Sequence, residues 1–206
     1  MNTKVAGNHT EPYSVRYKEL NSRIKPYLEA REKIPTGFKL EEKFTAQKEK
    51  ILRVLNGDEK NWDDWRWQIR NRISDPDLLQ EIIGLTDKEK EEIKKVSTRF
   101  RWAVSPYYAS LISPEDPNDP VRLQSVPTIQ EYLDTSGEED PMAEEATNPA
   151  PLITRRYADR LIINVTNMCG MFCRHCQRRR NIGEKDPHAK SSDISEAIAY
   201  VAENRE

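Results

Sequence analysis

The sequence predicts an α/β chain: a mostly helical N-terminal region, an extended connector, and then one strand followed by one helix. Three observations predict this. Apolar residues recur at helical spacing through roughly the first hundred residues. Prolines and acidic residues then crowd the stretch 114–151. After that, the β-branched run 161–166 leads straight into three closely spaced cysteines and an amphipathic helix.

The first element is a polar helix over 12–33, in which Val15, Leu20, Ile24, Tyr27 and Leu28 form an approximate stripe. Ile34-Pro35-Thr36-Gly37-Phe38 ends it. A second helix over 41–55 carries Phe44, Ile51, Leu52 and Leu55 and stops at Asn56-Gly57. Trp62, Trp65, Ile69 and Ile73 then fall on one helical face, and aromatic stripes of this kind usually anchor a helix on a core. A helix over 87–104 follows, with Thr86 as N-cap and Glu89 as its capping-box partner. Pro114, Pro117 and Pro120 predict an extended loop. The resulting division is a helical region 1–133, an extended connector 134–152, and a strand–loop–helix segment 153–206. In that last segment 161–166 reads as a buried strand. Ile194, Ala197, Ile198 and Val201 mark a helix, with Asp193 and Glu196 as its cap.

Composition narrows the function classes. Only 36% of residues are hydrophobic and 33% are charged, which is a thin supply for a large self-contained core. A net charge of -2 gives no global attraction to nucleic acid or to an anionic membrane. Met1 to Thr10 lacks the apolar run of a secretory signal, and no stretch is apolar enough to span a bilayer. These features point to a cytoplasmic protein without nucleic-acid or membrane partners.

All three cysteines lie in Cys169-Gly170-Met171-Phe172-Cys173-Arg174-His175-Cys176. An odd, clustered set does not suit a disulfide framework. Thiolates suit iron–sulfur clusters and zinc. Three local thiols on a four-iron cubane leave one iron open to a small molecule. Placement just after a strand puts that iron at the strand's C-terminal edge, where α/β folds bind ligands. The alternatives are a zinc held by Cys169, Cys173, Cys176 and His175, which crowds adjacent ligands, or a redox thiol pair. The Arg178-Arg179-Arg180 run has two readings, a solvated or weakly nucleic-acid-binding patch and a grip on carboxylate or phosphate. Arg155, Arg156 and Arg160 share that ambiguity.

The stretch Thr166-Asn167-Met168-Cys169 through Cys176-Gln177-Arg178-Arg179-Arg180 resembles the cluster loop of the lysine 2,3-aminomutase family of radical S-adenosylmethionine enzymes. Four upstream segments resemble other landmarks of that family: Asp64-Trp65-Arg66-Trp67-Gln68-Ile69-Arg70-Asn71-Arg72-Ile73, Ser105-Pro106-Tyr107-Tyr108, Asp116-Pro117-Asn118-Asp119-Pro120-Val121-Arg122 and Tyr157-Ala158-Asp159-Arg160. Ile34-Pro35-Thr36-Gly37-Phe38 and Gln177 look more like the glutamate 2,3-aminomutase branch than the lysine branch.

The resemblance implies an α/β fold in which the helical region precedes the first strand and helix of a partial (β/α) radical S-adenosylmethionine barrel. It implies an isomerase that moves an amino group from Cα to Cβ of an amino acid, L-glutamate or alternatively L-lysine. The cofactors would be a [4Fe–4S] cluster, S-adenosylmethionine and pyridoxal 5′-phosphate, with zinc only in a full-length protein. Cys169, Cys173 and Cys176 would be the cluster ligands. His175 would pack near the adenine, Arg156 and Arg160 would lie near the pyridoxal phosphate, and Arg178 would grip the substrate carboxylate. Expected partners are a small amino-acid substrate, an electron donor such as flavodoxin or ferredoxin, and further copies of the same chain in a homo-oligomer. A non-enzymatic small metal-binding or assembly module is the competing class.

The family's glycine-rich segment, its Schiff-base lysine, its substrate-reading residues and its zinc cysteines do not occur before Glu206. One strand and one helix cannot close a barrel of about 250 residues. The expectation is therefore a truncated N-terminal fragment, inactive alone, with residues 157–206 poorly packed.

Overall fold

The computed structural model describes residues 11–138, 140–183 and 185–205, except for the side chains of Glu11 and Arg180. The readings of Met1 to Thr10 lie outside these residues. The described chain is mostly helical with one small two-stranded sheet. It divides into two compact units, one ending at Glu42 and the other beginning at Lys43.

The first unit holds α1 (Glu11–Lys33) and a 3-10 turn (Gly37–Leu40). The predicted stripe is present but faces solvent: Val15, Leu20, Ile24, Tyr27 and Leu28 are all exposed. Local pairs support the helix instead, with Glu19 joined to Arg16 at 2.8 Å and to Arg23 at 2.6 Å.

α2 (Glu41–Val54) leads into the second unit and buries Ile51 and Leu52. It ends as predicted at Asn56-Gly57. Asn56 takes φ 51°, and the Gly57 N–H reaches back to the Leu52 carbonyl at 2.9 Å.

The aromatic stretch departs from expectation. It forms two short helices, α3 (Glu59–Asp63) and α4 (Trp65–Arg70), instead of one. Asp64 is extended (φ -86°, ψ 110°) and its carboxylate caps α4 at the Arg66 N–H. That break resets the helical phase. Trp67 becomes the buried ring at 8% exposure, while Trp65 stays 60% exposed. Ile73 lies beyond the helix, in a β-bridge to Val104, and is fully buried.

α5 (Pro76–Ile83) is capped by Asp75 and closed by Gly84 at φ 70°. α6 (Asp87–Ser97) has the predicted Thr86–Glu89 capping box but stops short of the predicted 104. The Ser97 and Thr98 hydroxyls bond back to the Ile93 and Lys95 carbonyls, and Trp102 turns back to donate to Ser97 Oγ at 2.8 Å. This frees 102–105 to run extended. α7 (Pro106–Ser110) follows, capped by Ser105. The proline loop is shorter than expected, because Asp119 caps α8 (Pro120–Ser125) with Pro120 at its first position. α9 (Ile129–Leu133) completes the region. Ile51, Ile73, Leu79, Ile82, Ile83, Ile93, Trp102 and Val104 form its core.

The connector is irregular apart from a 3-10 turn (Glu144–Thr147). Then β1 (Ile153–Thr154) pairs antiparallel with β2 (Ile162–Ile163), with Ile153 opposite Ile163. The predicted six-residue buried strand is thus reduced to two residues with Ile162 exposed. Among the described residues only β1 pairs with it. α10 (Ser191–Glu203) ends the described fold. Its N-cap is Lys190, so Asp193 falls in the first turn instead of capping it. Ala197 is buried, whereas Ile198 and Val201 are exposed. From 157 onward the buried hydrophobic residues are Met171, Phe172 and Ala197. The sparse packing expected there holds except at the cysteine loop.

No helix among the described residues is long and apolar enough to cross a membrane.

Candidate metal-cluster loop

The cysteine loop is docked on the helical region by backbone pairing. Val104 bridges Ile73 on one side and Met171 on the other. The Ser105 N–H donates to the Gly170 carbonyl at 2.7 Å, and the Phe172 N–H donates to the Ala103 carbonyl at 3.0 Å. Two bridges centred on Val104 thus join three segments far apart in the chain, which requires 102–105 to leave the helix.

Phe172 anchors the loop by its side chain. It is 1% exposed and lies between two cations, with Arg101 4.5 Å and Arg72 5.2 Å from its ring. Both guanidiniums pair with Asp186 beyond the loop, Arg101 at 2.9 Å and Arg72 in a closer contact. Arg72 also donates to the Cys169 carbonyl at 2.9 Å. Burial pushes the Asp186 carboxyl up, but the hydrogen bonds and charges of Arg72 and Arg101 outweigh it and hold it below the ordinary aspartate value.

Arg174, between two of the cysteines, is 7% exposed. Its guanidinium grips Glu131, with Nε at 2.9 and 3.1 Å and Nη2 at 2.5 Å, and its N–H donates to the Gln124 carbonyl at 2.8 Å. Arg179 adds a 3.3 Å contact to the same carboxylate.

The thiols of Cys169 and Cys173 lie near one another. The sulfurs of Cys169 and Cys173 approach one carbonyl oxygen, that of Met171, at 3.1 and 3.9 Å, so they are no farther apart than those two distances combined. The Cys176 N–H donates to the Cys173 carbonyl at 3.2 Å. Burial pushes the Cys173 thiol up, and the neighbouring Cys169 and Cys176 add to the rise. Among the described residues no three His, Cys, Asp or Glu side chains close on a single metal ion. A lone zinc would draw its sulfurs to about 2.3 Å from one centre. A multi-iron cluster spreads its thiolates, one to each iron. Three thiols on one loop are donors of the kind an iron–sulfur cluster takes.

The other predicted residues are distributed as follows. His175 is exposed beside the cysteines. Arg178 is half-buried and faces the buried Glu144 of the connector at 3.5 Å. Arg156 and Arg160 are exposed. Arg160 packs on the Tyr157 ring at 4.3 Å and lies 3.7 Å from Asp159. The loop after β2 borders a cleft of about 310 Å³ lined in part by Asn164, Thr166, Asn167 and His188. The structure thus gathers the cysteines, His175 and Arg178 on one loop, while Arg156 and Arg160 sit between the two strands. Sequence reasoning missed Arg72, Arg101, Glu131 and Asp186. Of these, Arg72 alone lies in a segment that carries the family resemblance.

No family model matches the chain. It is 56% identical over 191 residues to a glutamate 2,3-aminomutase of Clostridioides difficile (strain 630), which covers 93% of this chain and 45% of that protein. It is 45% identical over 142 residues to an L-lysine 2,3-aminomutase of Clostridium subterminale, covering 68% of this chain and 34% of that protein. With an L-lysine 2,3-aminomutase of Bacillus subtilis (strain 168) it shares 40% identity over 149 residues, covering 72% and 32%. The chain therefore spans between about a third and just under half the length of these relatives. Over that span it belongs to the family of glutamate and lysine 2,3-aminomutases.

Proposed function

We propose that this chain supplies the helical region and cluster loop of a radical S-adenosylmethionine amino-acid 2,3-aminomutase, an isomerase, acting on L-glutamate. The observation that carries the proposal is the three-thiol loop, docked through Met171 and Phe172, within a segment 56% identical to a glutamate 2,3-aminomutase.

Cys169, Cys173 and Cys176 would hold a [4Fe–4S] cluster. When bound, the cluster supplies the electron for radical formation from S-adenosylmethionine, and pyridoxal 5′-phosphate supplies carbanion and radical stabilisation at the substrate. The chain's own residues orient and bind. His175 offers an exposed ring beside the ligands for the adenine. Arg178, half-buried and held near Glu144, offers a forked donor for a substrate carboxylate. Arg156 and Arg160 present cations for a phosphate. The segments 1–133, 134–152 and 153–206 are proposed as helical region, connector and the start of a partial barrel. We place the protein in the cytoplasm, with a small redox protein as electron donor and self-association in the complete enzyme.

The test is anaerobic incubation of the intact protein carrying this chain with both cofactors, a reductant and either amino acid. β-Glutamate detected by NMR is the expected product. β-Lysine alone would move the substrate to the lysine branch, and loss of neither substrate would contradict the aminomutase reading.

A further inference from the structure

We infer that Glu131 sets the charge beside the cysteine loop and thereby tunes the reduction potential of the cluster. The inference rests on the cluster reading above and adds a residue outside the predicted ligand and binding set.

Two cations share one carboxylate. Glu131 accepts from Arg174 Nε at 2.9 and 3.1 Å, from Arg174 Nη2 at 2.5 Å and from Arg179 Nη2 at 3.3 Å. Oε1, which takes the 2.9 Å bond from Arg174 Nε, also accepts from the Thr128 N–H at 3.2 Å, so the carboxylate is fixed at the start of α9. Both arginines belong to the loop. Arg174 lies between Cys173 and Cys176 in sequence, and the Arg179 N–H donates to the Cys176 carbonyl at 3.2 Å. Neither swings freely, because Arg174 Nη1 donates to the Arg101 carbonyl at 3.2 Å while Arg179 lies over the Phe100 ring at 4.8 Å. Two guanidiniums on one carboxylate leave one net positive charge. With Arg174 almost wholly buried, water screens that charge weakly.

A cluster on three thiolates is anionic and gains a further negative charge on reduction. A fixed cation nearby favours the reduced form, and net charge around a cluster is one of the levers on its potential. Glu131 cancels one of the two cations. It therefore acts as a brake on the potential while orienting Arg174. It touches no reacting atom and is a positioning residue.

The experiment is an anaerobic redox titration of the reconstituted intact protein carrying this chain, followed by EPR. Glu131→Gln keeps the shape and hydrogen-bonding oxygen but removes the charge, and it should shift the midpoint upward. Arg179→Gln removes a cation and should shift it downward. Glu131→Asp should return it toward wild type. Iron content and melting temperature of each variant distinguish a charge effect from misfolding. Where Glu131→Gln fails to fold, the sign of the Arg179→Gln shift decides. Midpoints that are unchanged, or that move together in one direction with the cluster intact, would overturn the inference while leaving the cluster reading in place. An intact wild-type protein that takes up no cluster would overturn both.

Discussion

Arg72 and Asp186, 114 residues apart in the chain, pair across the cysteine loop, and the same Arg72 holds the Cys169 carbonyl at 2.9 Å. Asp186 also receives Arg101, so one carboxylate pairs with both cations beside Phe172. Asp186→Ala leaves two partly buried guanidiniums unpaired and should lower stability by about 1–3 kcal/mol. Urea denaturation near neutral pH measures this, with the less costly Asp186→Asn as the comparison.

The same pair predicts a pH dependence. Asp186 is held below the unfolded aspartate value of about 3.9. Its contribution is therefore fully present above that value and is lost as pH falls through the depressed folded value. The stability gap between wild type and Asp186→Asn should stay constant down to about pH 5 and narrow only below about pH 4. Melting temperatures across that range test the sign; a gap that widened on acidification would refute it.

Phe172 couples packing to thiol exposure. Phe172→Ala removes a wholly buried ring and should cost about 3–5 kcal/mol. Because the ring lies between two cysteines and pins their loop, the variant should also alkylate faster at Cys173, measured by mass spectrometry before global unfolding.

Gly57 is required by a close approach. A Cβ there would meet the Trp67 ring at 2.6 Å, against a side chain locked in the core. Gly57→Ala should destabilise by about 1–3 kcal/mol through overpacking. Gly37→Ala, with nothing within 4 Å, should stay within about 0.5 kcal/mol of wild type.

Trp65 and Trp67 separate what a helical period predicts from what the chain does. Periodicity put Trp65 on the core, yet Trp67 is the buried ring. Trp67→Ala should cost about 3–5 kcal/mol and Trp65→Ala less than about 0.5. Tryptophan fluorescence quenching and denaturation of both variants would check this.

Signals carried by adjacent residues were readable in the sequence. The Thr86–Glu89 capping box, the Asn56-Gly57 stop and the cysteine spacing are each local, and the structure bears out both helix signals. The Trp65 expectation failed because Asp64 could cap a new helix, and a single capping carboxylate resets a phase that a period assumes continuous. The 161–166 run was apolar and β-branched, but strand length depends on which neighbours pair with it, and β1 offers two residues. Asp186 and Glu131 left no trace because an acidic residue in a polar stretch acquires meaning only from a partner many residues away.

The central claim is that Cys169, Cys173 and Cys176 hold one iron–sulfur cluster. Anaerobic reconstitution of the intact protein carrying this chain, with iron and sulfide analysis alongside EPR, tests it most directly. Wild type should take up about four irons and show a reduced-cluster signal, and Cys173→Ser should lose both. Stoichiometric zinc without iron, or an unchanged signal in Cys173→Ser, would contradict the account.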